Sequence, residues 1–105
     1  MALFFTTAFY HFVSLNNVKS IQTIIQDYCD KKSIKGTILL ANEGINGTIS
    51  GEEKNILEFH EFLKYNPIFS KVFEGIDYKG SWSNKNPFYR MKVRLKKEIV
   101  TLGIP

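Results

Sequence analysis

The spacing of apolar and polar positions changes several times along the chain, and each change marks an element. Residues 4–13 are rich in aromatic and β-branched side chains and contain no glycine or proline, which predicts a strand. Both of its alternating sets are apolar. Phe4, Ala8, Tyr10 and Phe12 fall on one side, and Phe5, Phe9, His11 and Val13 on the other. Such a strand is expected to be central and covered at least partly on both faces. A single layer of helices would leave one face in need of a partner.

Val18, Ile21, Ile25 and Tyr28 then recur at helical spacing. They predict a first helix over about 17–32, with Asn16-Asn17 at its N-cap, Lys31-Lys32 at its negative end and Gly36 helping the chain to leave it. Residues 37–41 and 45–50 are short apolar runs on either side of Asn42-Glu43-Gly44. They read as a β-hairpin with a three-residue connection in which Gly44 takes a positive φ. Ser50-Gly51-Glu52-Glu53 fits a capping box that opens a second helix. Its apolar face is Ile56, Phe59 and Leu63 with Phe62 alongside, and Asn66-Pro67 stops it. A short strand is expected over about 72–78, weakened by Gly75, followed by a loop over 81–87. The last strand, over 88–95, sets Met91, Val93 and Leu95 against Arg90, Lys92, Arg94 and Lys96.

The order is β-α-β-β-α-β with one additional strand. It predicts an α+β, ferredoxin-like split βαβ sandwich, with a mainly antiparallel sheet carrying two helices on one face. A length of 105 residues suits one domain, and 44% apolar with 23% charged residues suits a soluble globular one. No apolar run approaches the roughly 20 residues of a membrane span, and residues 1–5 lack the basic start and cleavage site of a secretory signal. With Cys29 as the single cysteine, neither an internal disulfide nor a cysteine-based zinc site can form, so a reducing, cytoplasmic setting is expected.

The distribution of charge changes the picture more than its total of +4. Residues 79–97 hold seven cations (Lys79, Lys85, Arg90, Lys92, Arg94, Lys96 and Lys97) and no acid, whereas the rest of the chain holds seven cations and ten acids. Alternate residues on a strand stand about 6.5 to 7 Å apart, near the spacing of successive phosphates, so this strand suits a nucleic-acid backbone. Lysines also protect exposed sheet edges from pairing with other chains. The complete absence of acids favours binding, because a merely solvated face mixes signs. Trp82, Phe88 and Tyr89 lie near these cations in sequence, available either to stack bases or to supply buried area.

Other candidates are weaker. Asn42, Glu43 and Asn46 in the hairpin offer polar groups to a ligand, but turn chemistry alone accounts for Asn and Gly there. The hairpin matches neither a P-loop nor a dinucleotide fingerprint. His11 and His60, with Glu58 or Glu61, are too few and too scattered in role to predict a metal site. Cys29 has no histidine partner in view and is expected to be a packed, inert thiol.

Two stretches carry a family resemblance. Residues 36–51, with Leu40-Ala41-Asn42-Glu43-Gly44-Ile45-Asn46-Gly47 at their centre, resemble the signature of the rhodanese-containing tRNA uridine hydroxylases. Residues 86–103, opening with Asn86-Pro87-Phe88-Tyr89-Arg90, resemble the second block of that family. The resemblance implies an acylphosphatase-like domain over 1–98 and an exit linker over 99–105 that leads to a rhodanese domain absent from this chain. It also implies a parent enzyme that forms 5-hydroxyuridine at the wobble position of tRNA, with molecular oxygen as co-substrate. No cofactor is expected in this domain. Its partners are expected to be tRNA and the linked rhodanese domain, with no membrane involved. The tRNA is expected on Lys85, Arg90, Lys92, Arg94, Lys96 and Lys97, and Asn42, Glu43 and Asn46 are expected at an interdomain or substrate contact. Cys29 does not match the cysteine-bearing loop of the missing domain, so the fragment is expected to be non-catalytic alone.

Three other roles fit the same fold. An acylphosphatase needs a phosphate-binding arginine after the first strand, where this chain has Ser14-Leu15-Asn16-Asn17-Val18-Lys19. An RRM-like RNA binder needs aromatics on its third strand, and residues 45–50 have none. A structural platform for the rhodanese domain is the third.

Overall fold

The computed structural model describes residues 3–97. Five strands and two helices follow in the order β1 (Phe4–Phe12), α1 (Val18–Lys31), β2 (Lys35–Ala41), β3 (Gly44–Gly51), α2 (Glu53–Tyr65), β4 (Tyr78–Ser83) and β5 (Met91–Leu95). The sheet order is β4-β1-β3-β2-β5. Every pairing is antiparallel except β2 with β5, which is parallel. The predicted split βαβ sandwich is therefore present, with β5 as the strand added beyond β2. The linker expected over 99–105, and residues 1, 2 and 98 of the expected domain, lie outside the described residues.

Strand periodicity sorts the sheet into two faces. Phe9, Gly47, Ile38 and Val93 align across four strands and are all buried. They meet Ile25 and Cys29 of α1 and Ile56, Phe59 and Leu63 of α2 in one core. Each such apolar side chain removed from water contributes roughly 1.5 to 3 kcal/mol. The helix-free face carries Phe4, Thr6, Ala8, Tyr10 and Phe12 of β1, opposite in parity to the core set. The other set lies on the helix side, where Phe9 is buried and Phe5 and Val13 pack against the core, so the face left without a partner is that of Phe4, Ala8, Tyr10 and Phe12.

Several local expectations are corrected. The hairpin turn uses only Asn42-Glu43, because Gly44 already pairs with Ala41, at φ 152°. The capping box does not form: Ser50 belongs to β3, where its hydroxyl accepts from Thr6 Oγ1 at 2.9 Å, and Glu52 occupies the N-cap of α2 without a side-chain bond. Asn17 is the N-cap of α1, also without one. The chain leaves α1 through Ser33 at φ 56°, not through Gly36, which lies inside β2.

The strand expected over 72–78 is absent. A 3-10 turn, Pro67–Phe69, is followed by Ser70 and Lys71 in left-handed backbone and then by successive tight turns. Phe73 and Ile76 are three residues apart and both buried, a spacing that curls the segment beneath the end of α2. Strand pairing begins only at Tyr78, opposite Phe9, and takes in 81–83 of the expected loop. The last strand likewise begins at Met91 and not at Phe88, since Asn86 Oδ1 accepts from Phe88 N at 3.0 Å and holds a turn there.

Gly36 is fixed by space as well as conformation. It has φ 145°, and a Cβ there would stand 2.1 Å from the Thr48 carbonyl oxygen. Gly36→Ala is expected to cost about 3 kcal/mol or more in urea unfolding. Gly75→Ala, whose nearest neighbour would be the His11 ring at 3.3 Å, is expected to cost less than about 0.5 kcal/mol. Equal effects would refute the close approach of β2 to β3.

Candidate nucleic-acid interface

β5 forms one edge of the sheet, and its outward-facing backbone groups do not meet solvent alone. Gln22 Nε2 of α1 donates to the Val93 carbonyl at 2.6 Å. Gln26 Nε2 donates to the Met91 carbonyl at 3.1 Å, and Gln26 Oε1 accepts from Val93 N at 3.0 Å. The inner edge of β5 is paired to β2, with Lys96 N donating to the Leu40 carbonyl at 2.8 Å. Side-chain amides one helical turn apart therefore cover the rim of the sheet at Met91 and Val93. This edge is protected by α1, so protection does not account for its lysines.

Lys92 and Arg94 project from the helix-free face. Pairing puts Lys79, Ala8, Thr48, Thr37 and Lys92 in one row across the sheet, and Tyr10, Asn46, Leu39 and Arg94 in the next. At about 4.8 Å per strand the first row is about 19 Å long, with a lysine at each end and small or hydroxylated side chains between. Lys35 of β2, opposite Ser50, adds a further cation to the same face. Arg90, Lys96 and Lys97 are exposed beside β5, and Lys85 is exposed in the loop before it.

The cations grouped by sequence are therefore divided in space. Lys79 and Trp82 lie on β4, at the edge opposite β5. Trp82 turns to the helix side, where its ring packs on Phe5 at 4.8 Å between centroids, so it does not accompany the β5 cations as its sequence position suggested. Tyr89 does, and its ring is 96% exposed. Thr37, Phe88, Tyr89, Arg90 and Lys92 border a cavity of about 450 Å³ beside β5.

The hairpin residues have a different use. Asn42 Nδ2 donates to the Leu15 carbonyl at 3.1 Å, while the Asn42 and Glu43 carbonyls accept from Leu15 N and Val13 N at 2.8 and 3.0 Å. The turn thus clamps the β1-to-α1 connection. Asn46 stands apart from it, half-buried on the helix-free face. The cavity at the start of α1, where an acylphosphatase needs its arginine, is lined by Ser14, Asn17 and Ser20 and by no cation.

The titratable core is inert. Cys29 is fully buried, and burial pushes its thiol up to about 12, which withholds the thiolate a nucleophile requires. His60 of α2 stacks on Tyr78 at 3.6 Å between centroids, with Nε2 3.0 Å from Thr7 Oγ1. Burial lowers its pKa to about 4, so it stays neutral in ordinary buffers. Among the described residues no group of three His, Cys, Asp or Glu side chains is placed to hold a metal ion. No described helix is long and apolar enough to cross a membrane.

An open-faced, five-stranded sheet under two helices places the chain among the acylphosphatase-like proteins of ferredoxin type. The acylphosphatase from Bacillus subtilis shares this fold at TM-score 0.57 and 19% identity, over 90% of this chain and all of that one. The chain belongs to the family described as the UPF0176 acylphosphatase like domain, which matches residues 4–99. It is 48% identical over 101 residues to a tRNA uridine(34) hydroxylase of Rhizobium leguminosarum bv. trifolii (strain WSM2304), covering 96% of this chain and 31% of that protein. It is 47% identical over 105 residues to the protein of that name from Acaryochloris marina (strain MBIC 11017), covering all of this chain and 33% of that protein. The chain spans about a third of the length of these curated relatives.

If the glutamine clasp holds β5, Gln26→Ala is expected to cost about 1 to 3 kcal/mol, because it strands the Val93 N–H and the Met91 carbonyl. Amide exchange at Val93 should accelerate ahead of exchange at Ile49. Unchanged protection at Val93 would refute the clasp.

Proposed function

We propose that this chain is the tRNA-holding domain of a tRNA uridine hydroxylase, with β5 and the helix-free face as its contact surface. The single observation that carries this reading is the combination of Lys92 and Arg94 on the open face with an edge already covered at Met91 and Val93 by Gln22 and Gln26. Two residues apart on one strand, the two cations match successive phosphates, Arg90 and Lys96 continue the alternation, and Lys97 is exposed beside them. The names of the relatives supply the substrate class and the reaction. Hydroxylation, with molecular oxygen as co-substrate, belongs in this reading to the rest of the longer protein, including a linked rhodanese domain. The neutral, buried Cys29 supports a non-catalytic role for the domain itself. The cytoplasm is the setting where such a substrate is met.

One observation favours a second role. Phe12 is 54% exposed on the helix-free face and packs edge-on against Tyr10 at 4.8 Å. That apolar end, away from Lys92, suits the linked domain as a seat.

The test is titration with tRNA at two salt concentrations. Lys92→Glu with Arg94→Glu is expected to weaken binding at least tenfold and to reduce the salt slope by about 2. Lys64→Glu with Lys71→Glu carries the same charge change on residues outside the proposed surface and should reproduce neither effect beyond a small general loss. Equal losses in the two double variants would overturn the reading.

A further inference from the structure

The cavity beside β5 has a composition that phosphate contacts alone do not require. Its border contains two cations, Arg90 and Lys92, one hydroxyl, Thr37, two aromatic rings, Phe88 and Tyr89, and no acid. A volume of about 450 Å³ lies within the roughly 300 to 1,000 Å³ of small-molecule sites. The Tyr89 ring is 96% exposed, and among the described residues it meets no other ring, unlike Tyr10, Tyr28, Tyr65 and Tyr78, which pack on rings or a lysine. Folding therefore gives no account of an aromatic at this position.

The loop that presents the ring is nevertheless tied down at both ends. Asn86 Oδ1 accepts from Phe88 N at 3.0 Å, and the Arg90 carbonyl accepts from Gly36 N at 3.0 Å. Pro87 fixes one further backbone angle between them. An exposed ring on a braced loop, with cations on the same rim, is the arrangement by which proteins stack unpaired bases while holding the adjoining phosphate.

We infer that the cavity between Thr37 and the 87–90 loop takes one unpaired nucleotide of an RNA, with its base against Tyr89 and its phosphate between Arg90 and Lys92. This rests on the reading of the domain as an RNA-holding one and adds a preference to it. A base paired within a helix offers no free face to Tyr89, so the site selects loops and single strands over duplex. Thr37 supplies a hydroxyl for the 2′-OH or the base edge.

Fluorescence anisotropy with two labelled RNAs tests the inference on the 105-residue chain, which has its own core: a six-nucleotide single strand and a blunt twelve-base-pair duplex. Tyr89→Ala is expected to weaken the single strand at least fivefold and the duplex less than twofold, with Tyr89→Phe close to the unsubstituted protein. Because the ring is almost wholly exposed, the substitution should leave unfolding in urea unchanged. If Tyr89→Ala leaves single-strand binding intact, or weakens both RNAs equally, the nucleotide site is overturned while backbone holding of tRNA stands. If the unsubstituted chain binds neither RNA nor tRNA, both readings fail and a protein partner for this face is favoured.

Discussion

The clasp of Gln22 and Gln26 on β5 is the interaction on which the proposed contact surface depends. A parallel strand added at a sheet edge has one row of backbone groups paired and one row turned outward. Here the Met91 carbonyl and both backbone groups of Val93 in the outward row are met by amides from α1, and Met91 and Val93 are buried in the core. The strand is thereby fixed in position and in face. Lys92 and Arg94 face away from the helices because Met91 and Val93 face toward them.

The same parity runs through the whole sheet. Gly47 permits it, since a Cβ there would stand 2.8 Å from the Phe9 ring and 2.9 Å from Ile38. A slip of one residue between β1 and β3 would exchange Phe9 for Ala8 in the core and carry Lys79 and Tyr10 to the wrong side. Core packing and the placement of the open-face cations are therefore one constraint. The hairpin turn contributes by holding the β1-to-α1 connection through Asn42 and Leu15, which sets where α1 begins and so where its glutamines reach β5.

Much of this was legible in the sequence, for physical reasons that differ by element. Both helices and the hairpin carry strong periodicity, and the topology follows from their order. The segment between α2 and β4 was misread because Val72, Phe73 and Ile76 resemble a strand in composition, while two non-glycine residues, Ser70 and Lys71, adopt left-handed backbone that composition does not announce. The cations of β5 were legible from alternation. Their separation from Lys79 and Trp82 was not, because only the strand order reveals that β4 and β5 lie at opposite edges. The glutamine clasp was also missed. Its one signal was a pair of amides at i and i+4 beside the apolar stripe of α1, a spacing that otherwise reads as a solvated face.

In the proposed function, RNA meets the helix-free face at its β5 edge. Backbone amide shift mapping of the labelled chain with an anticodon stem-loop RNA tests it most directly. The largest perturbations are expected on Thr37, Thr48, Tyr89, Lys92 and Arg94, with α2 unmoved. Perturbations concentrated on α1 and α2, or confined to Tyr10 and Phe12 at the far end of the face, would contradict it.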